Sequence, residues 1–461
     1  MTTLELHDVV VAHGDRRLVD VPHLALEPGR PVTIVGESGS GKSVLAHALM
    51  GTLASSLVVD GKLALDETLL HLGDRSNRRA LWGRRIAMLP QEPALALDPT
   101  MRVLSQVAEG ALGASRTTAR SHAGAALADV GLAASARSFP HTLSGGMAQR
   151  VAYAAATIGG ARALIVDEPS KGLDSGSVDR LAGLLRDHVG DGGLLLTITH
   201  DLRLAAALGG EVAVMREATV VESGDAVDVL GSPQHDYTRR LVDADPSRWR
   251  QPWQRTGWDS PGEAIVRAIG ISKAYGATSV FADVDLHIRP GERVALSGPS
   301  GVGKTTLGNA LIGLTPVDAG RVVREPSLAG GRVQKLYQDP TLSFPALVPI
   351  EVGLRDVSRR HRASASRVDE LMAAVRLSPS LLARRPGEVS GGELQRIAIV
   401  RALLAEPRLV FADEATSRLD LLTQAGTIDC LMTELGEAAL LMVTHDRALA
   451  TAVADTHVEL E

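Results

Sequence analysis

The chain is written twice from one plan. Five short stretches recur in a fixed order along its 461 residues. GESGSGKS at 36–43 returns as GPSGVGKT at 298–305. A glutamine follows, Gln91 and then Gln338. Next comes LSGGMAQR at 143–150, matched by VSGGELQR at 389–396. An apolar run then ends in paired acids, Asp167–Glu168 and Asp413–Glu414, and a second apolar run ends at His200 and His445. The spacings agree: 53 positions from Gln91 to Ser144 and 52 from Gln338 to Ser390, 23 from each serine to its aspartate, then 33 and 32 to the histidine. Only the stretch from glycine loop to glutamine differs, 55 positions against 40. Chance does not produce five elements in one order at matched distances. The chain is a tandem duplication with a shortened segment in its second copy, and its length leaves room for two domains.

Each stretch has a chemistry. Residues 1–31 alternate apolar and polar, as antiparallel strands do. Val32–Val35 is a β-rich run, Gly36–Ser43 a glycine-rich loop and Val44–Met50 helical in character. Strand, G-x-x-x-x-G-K-[ST] and helix make a P-loop in its proper setting, and a plain glycine turn with a surface lysine does not account for the flanking strand and helix. The glycines let backbone N–H groups wrap phosphates, Lys42 neutralises β/γ oxygens, and Ser43 can ligate Mg2+. Ala163–Val166 running into Asp167–Glu168 is a Walker B pattern: Asp167 for Mg2+, Glu168 to polarise the attacking water. Ser144 can cap a helix whose positive end suits an anion, and Gly145 and Gly146 allow close approach. A lone histidine at a strand end is usually structural, but His200 has its counterpart in His445.

Composition removes several classes. A net charge of -6 argues against a strongly basic nucleic-acid-binding surface, so no nucleic acid is expected as partner. The single cysteine, Cys430, excludes an intrachain disulfide framework and a cysteine-held Fe–S cluster. No signal peptide and no run of about 18 apolar residues is visible, so a membrane role requires another chain to span the bilayer.

P-loop, glutamine, LSGG helix, Walker B with an added glutamate and late histidine together resemble the ATP-binding-cassette (ABC) ATPases, over nearly the whole chain and twice. The LSGGMAQR and VSGGELQR stretches make that likeness specific. The resemblance implies an α/β fold: two P-loop NTPase (RecA-like) nucleotide-binding domains in tandem, each with an antiparallel β part and a helical part. They are expected at 1–245 and 263–461, with a linker at 246–262. It implies ATP hydrolysis, with ATP and Mg2+ bound. It also implies head-to-tail pairing. One site then contains Gly36, Gly39, Gly41, Lys42, Ser43, Gln91, Asp167, Glu168 and His200, closed by Ser390, Gly391 and Gly392. The other contains Gly298, Gly301, Gly303, Lys304, Thr305, Gln338, Asp413, Glu414 and His445, closed by Ser144, Gly145 and Gly146. Glu168 and Glu414 carry catalysis with His200 and His445. Ser43, Gln91 and Asp167 hold Mg2+ in one site, and Thr305, Gln338 and Asp413 in the other. Asp174 and Asp420, each 7 positions after the Walker B aspartate, match the D-loop. Tyr275, 23 positions before Gly298, matches the aromatic that stacks on adenine, while the same offset before Gly36 lands on His13, whose imidazole can also stack. Both catalytic glutamates are present, which implies two hydrolysis-competent sites.

A narrower likeness lies in GSPQHDYTRRLVDADPS at 231–247 and QEPALALDPTMRV at 91–103, which resemble the peptide/nickel importer ATPases. That implies a peripheral motor on the cytoplasmic face of the cell membrane. It would drive peptide or nickel uptake through two transmembrane permease subunits, fed by an extracytoplasmic substrate-binding protein. One chain would supply both ATPase domains. A soluble tandem ATPase acting on ribosomes or DNA, or an exporter motor, is the alternative. Ribosome-type tandem cassettes usually carry a long charged helical linker. Here the join holds Pro246, Pro252, Pro261 and Trp249, Trp253, Trp258, and reads as a linker whose indoles pin it to a domain surface.

Overall fold

The computed structural model describes residues 3–460 except 75, 250–252, 254–261, 300 and 418. Pro252, Pro261 and Trp258 of the expected linker lie outside the described residues. The chain divides into two compact units, one ending at Asp243 and one beginning at Ala244.

The first unit holds β1 (Leu4–His13), β2 (Arg16–Leu26), β3 (Val32–Val35), β4 (Val58–Leu65), β5 (Thr68–His71), β6 (Ile86–Leu89), β7 (Ala163–Asp167), β8 (Leu194–Thr199), β9 (Glu211–Arg216) and β10 (Thr219–Asp225). Their order across the sheet is β5-β4-β1-β2-β10-β9-β3-β8-β7-β6. Two kinds of strand meet in it. In β1 the alternation puts Leu4, Leu6, Val9 and Val11 inside while intervening residues are more exposed, and β1 pairs antiparallel with β2 and β4. By contrast β3, β7 and β8 are buried along their whole length and pair parallel. Continuous apolar runs belong to strands covered on both faces. One pair, Thr219↔Asp20, joins the antiparallel part to the rest. The helical part packs Val103, Val107, Ala123 and Leu127 against Val151 of helix Gly145–Thr157.

The second unit repeats these parts as two sheets. Strands β11 (Val266–Tyr275), β12 (Thr278–Ile288) and β14 (Ala319–Arg324) form the antiparallel sheet, in the order β12-β11-β14. Strands β13 (Arg293–Ser297), β15 (Val333–Leu336), β16 (Leu409–Asp413), β17 (Ala439–Val443) and β18 (Thr456–Glu459) form the parallel one, in the order β15-β16-β17-β13-β18. Trp249 and Trp253 pack edge to face, 5.2 Å between ring centroids, against the core of this unit, and Arg293 donates to the Trp253 carbonyl at 2.7 Å. In both units the acids end an internal parallel strand, at the carboxyl edge where ligands of open α/β sheets bind.

Candidate nucleotide site

The P-loop of the first unit links β3 to helix Lys42–Met50, which starts at Lys42 rather than Val44 because Gly41 caps it with φ 106. Gly36 has φ 153, and a Cβ there would stand 2.1 Å from the Met215 carbonyl oxygen, so the turn leaves room only for glycine. Lys42, 5% exposed, donates to the carbonyls of Gly36 at 2.8 Å and Glu37 at 2.7 Å. Its ammonium therefore lies inside the loop. Ser43 Oγ donates to Asp167 Oδ1 at 2.9 Å, which brings loop and Walker B strand together. Hydroxyl beside carboxylate is an all-oxygen donor set, the kind Mg2+ takes. Burial pushes the Asp167 carboxyl up, against the Ser43 hydrogen bond.

Glu168 sits with φ 47, a left-handed conformation that a side chain adopts at a cost, and Glu414 repeats it with φ 48. Both strained residues stand where the sequence places the catalytic base. His200 Nδ1 lies 2.7 Å from Glu168 Oε2, and the His200 N–H donates to the same oxygen at 3.3 Å. Burial raises the Glu168 carboxyl, but the bond and charge of His200 and the charge of Lys42 outweigh it and hold it below the usual range. Gln91 lies just past the end of β6, which pairs with β7.

The second unit builds the same constellation. Lys304 donates to the carbonyls of Gly298 at 2.9 Å and Pro299 at 2.8 Å, and Thr305 Oγ1 donates to Asp413 Oδ1 at 2.7 Å. Glu414 differs in its partners. Gln338 donates to its Oε2 at 2.7 Å, while His445 Nδ1 stands 3.9 Å from Oε1. Tyr275, 58% exposed at the end of β11, pairs with Thr278, and His13 ends β1 opposite Arg16 in the same way.

Ser144 and Ser390 begin helices Gly145–Thr157 and Gly391–Leu403 as N-caps, accepting from the N–H of Met147 and of Glu393 at 3.3 Å. The Ser390 N–H also donates to Glu393 Oε2 at 2.8 Å, completing a capping box that Met147 cannot make. Both serines are exposed. Asp174 and Asp420 cap the helices after Walker B, accepting from the N–H of Ser177 at 2.9 Å and of Thr423 at 3.0 Å.

Two residues near these sites had no role in the sequence reading. Tyr237, from the 231–247 segment, is 1% exposed, and its hydroxyl accepts from the Glu37 N–H at 2.9 Å. The segment thus seats against the P-loop backbone. Lys335, in β15, places its ammonium 3.0 Å from Asp413 Oδ2.

The ABC transporter family model matches residues 19–171 and 281–417. The chain belongs to the ABC transporter family, with two ATP-binding cassettes in tandem, and it is an ATPase. The peptidoglycan transport ATP-binding protein YejF of Agrobacterium fabrum is 33% identical over 98% of this chain and 90% of its own length. The glutathione import ATP-binding protein GsiA of Salmonella typhi is 32% identical over 95% of this chain and 81% of its own. Among solved structures, the RNase-L inhibitor aligns over 98% of this chain and 87% of its own with a TM-score of 0.69 at 23% identity, a likeness of fold alone. No helix among the described residues is long and apolar enough to cross a membrane.

Proposed function

We propose that this chain is the motor of an ABC importer for small peptide-containing solutes. It would work at the cytoplasmic face of the membrane on two transmembrane permease subunits, fed by an extracytoplasmic binding protein. The observation that carries this reading is similarity along almost the whole chain to relatives named for peptidoglycan transport and glutathione import. Both named solutes contain peptide. The nickel arm of the expectation draws no support from those names.

In this reading the backbone N–H groups of 36–43 and 298–305 cradle the phosphates of ATP, and Lys42 and Lys304 neutralise β/γ oxygens. Ser43, Gln91 and Asp167, and Thr305, Gln338 and Asp413, would hold Mg2+, which would supply positive charge against the phosphates during γ-phosphoryl transfer. Glu168 and Glu414 each orient a water and take its proton, and His200 and His445 set the position of those carboxylates. The exposed N-termini of helices Gly145–Thr157 and Gly391–Leu403 each offer Ser–Gly–Gly N–H groups suited to phosphate. Cycles of ATP binding and hydrolysis can then drive the permeases.

Affinity capture of the whole chain from detergent-solubilised membranes of its source cell, followed by mass spectrometry, tests this. Two permease subunits are expected, together with ATP-dependent peptide uptake by the reconstituted complex. Recovery of ribosomes or DNA in their place overturns it.

A further inference from the structure

The two halves differ in the surroundings of the Walker B aspartate. Lys335 stands three positions before Gln338, and the residue three before Gln91 is Met88. Met88 packs on the core of the first unit. Lys335 does not turn to solvent. Its side chain is 9% exposed, and its ammonium lies 3.0 Å from Oδ2 of Asp413, which is 8% exposed. It donates to Asn309 Oδ1 at 2.8 Å and lies 5.0 Å from the ring centroid of Tyr337 and 4.9 Å from that of Phe411. Carbonyl oxygen and aromatic faces both attract an ammonium. At the matching positions of the first unit stand His47, Pro90 and Ile165. Lysine, asparagine, tyrosine and phenylalanine thus replace four first-half residues together, and the four make a lysine pocket beside the Walker B acid.

With Thr305 on Oδ1 and Lys335 on Oδ2, both oxygens of Asp413 are engaged. Among the described residues no ion pair forms to Asp167. We infer that Lys335 weakens divalent-metal binding at the second P-loop, so that the two cassettes are unequal and the Lys42 site carries most of the turnover. A fixed ammonium at a nearly buried carboxylate must be displaced, or share its oxygen, before a cation or its water can use that oxygen. The second site then holds nucleotide with little metal and hydrolyses it slowly. This rests on the proposed role of Asp413 as the carboxylate on the metal side.

The test uses the full chain, adenylyl-imidodiphosphate and Mn2+, with bound Mn2+ counted by electron paramagnetic resonance. Lys304→Ala isolates the first site and Lys42→Ala the second. Mn2+ is expected to bind the second site roughly tenfold or more weakly than the first, the size of effect that groups around a metal's ligands exert. Lys335→Met in the Lys42→Ala background should recover that factor, and β6 shows that methionine fits this register. Met88→Lys in the Lys304→Ala background should weaken the first site. A fluorescent nucleotide without metal confirms that each altered site is folded. Unchanged Mn2+ affinity on Lys335→Met, with nucleotide still bound, overturns the inference and leaves the site assignment standing. No metal–nucleotide binding in either background overturns the assignment, and the inference with it.

Discussion

His200 holds Glu168 at 2.7 Å, whereas its counterpart His445 stands 3.9 Å from Glu414 and Gln338 takes the other carboxylate oxygen. One of the two proposed catalytic carboxylates is therefore tied to an imidazole, the other to an amide. The first pairing has a pH signature. Burial pulls the His200 pKa down, but the bond and charge of Glu168 raise it above the ordinary 6.5. Its stabilisation is full below that value and is lost as pH rises through the raised one. Glu168 sits below its ordinary 4.5, so its share is full above 4.5 and is lost as pH falls through the lowered value. The melting-temperature gap between wild type and His200→Gln should be widest between pH 4.5 and 6.5 and narrow on either side. Calorimetry across pH measures it, and a flat gap contradicts the pairing.

Tyr237→Phe removes the acceptor of the Glu37 N–H without opening a cavity. Loss of an intramolecular hydrogen bond costs about 0.5 to 1.5 kcal/mol. Stability of the first unit should fall by that amount. ATP affinity at the Lys42 site, read by titration calorimetry in a Lys304→Ala background, should weaken. Unchanged affinity would separate the 231–247 segment from the P-loop.

Two glycines should respond in opposite ways. Gly36→Ala drives a methyl to 2.1 Å from a backbone oxygen, and a loss on the order of 3 kcal/mol is expected in urea unfolding. Gly145→Ala meets nothing closer than Leu173 Cδ2 at 3.6 Å, so stability should hardly move. Hydrolysis should nevertheless drop, because the added methyl stands on the exposed helix end proposed to meet phosphate.

The periodicity of the chain made much of this fold legible. Alternation in residues 1–31 gave antiparallel strands, and the apolar runs into Asp167 and Asp413 gave buried parallel ones. The motifs and the family resemblance put Ser43 with Asp167 and Thr305 with Asp413 in one proposed site each, and a hydrogen bond joins each pair. Tyr237 escaped because its partner lies 200 positions away and no local pattern points there. Lys335 escaped because a lysine within RVQKLYQ reads as a solvated strand residue. Its pocket is assembled from Asn309 and Phe411, which belong to separate elements. The helix start at Lys42 followed from the backbone angle of Gly41, which the residue types alone leave open.

The most direct measurement is single-turnover hydrolysis of γ-labelled ATP by the full chain carrying Glu168→Gln and Glu414→Gln together, with ATP binding measured in parallel. Retained binding with turnover reduced roughly a hundredfold or more is expected if these carboxylates are the general bases. Near-normal turnover would contradict their assignment and, with it, both sites as built here.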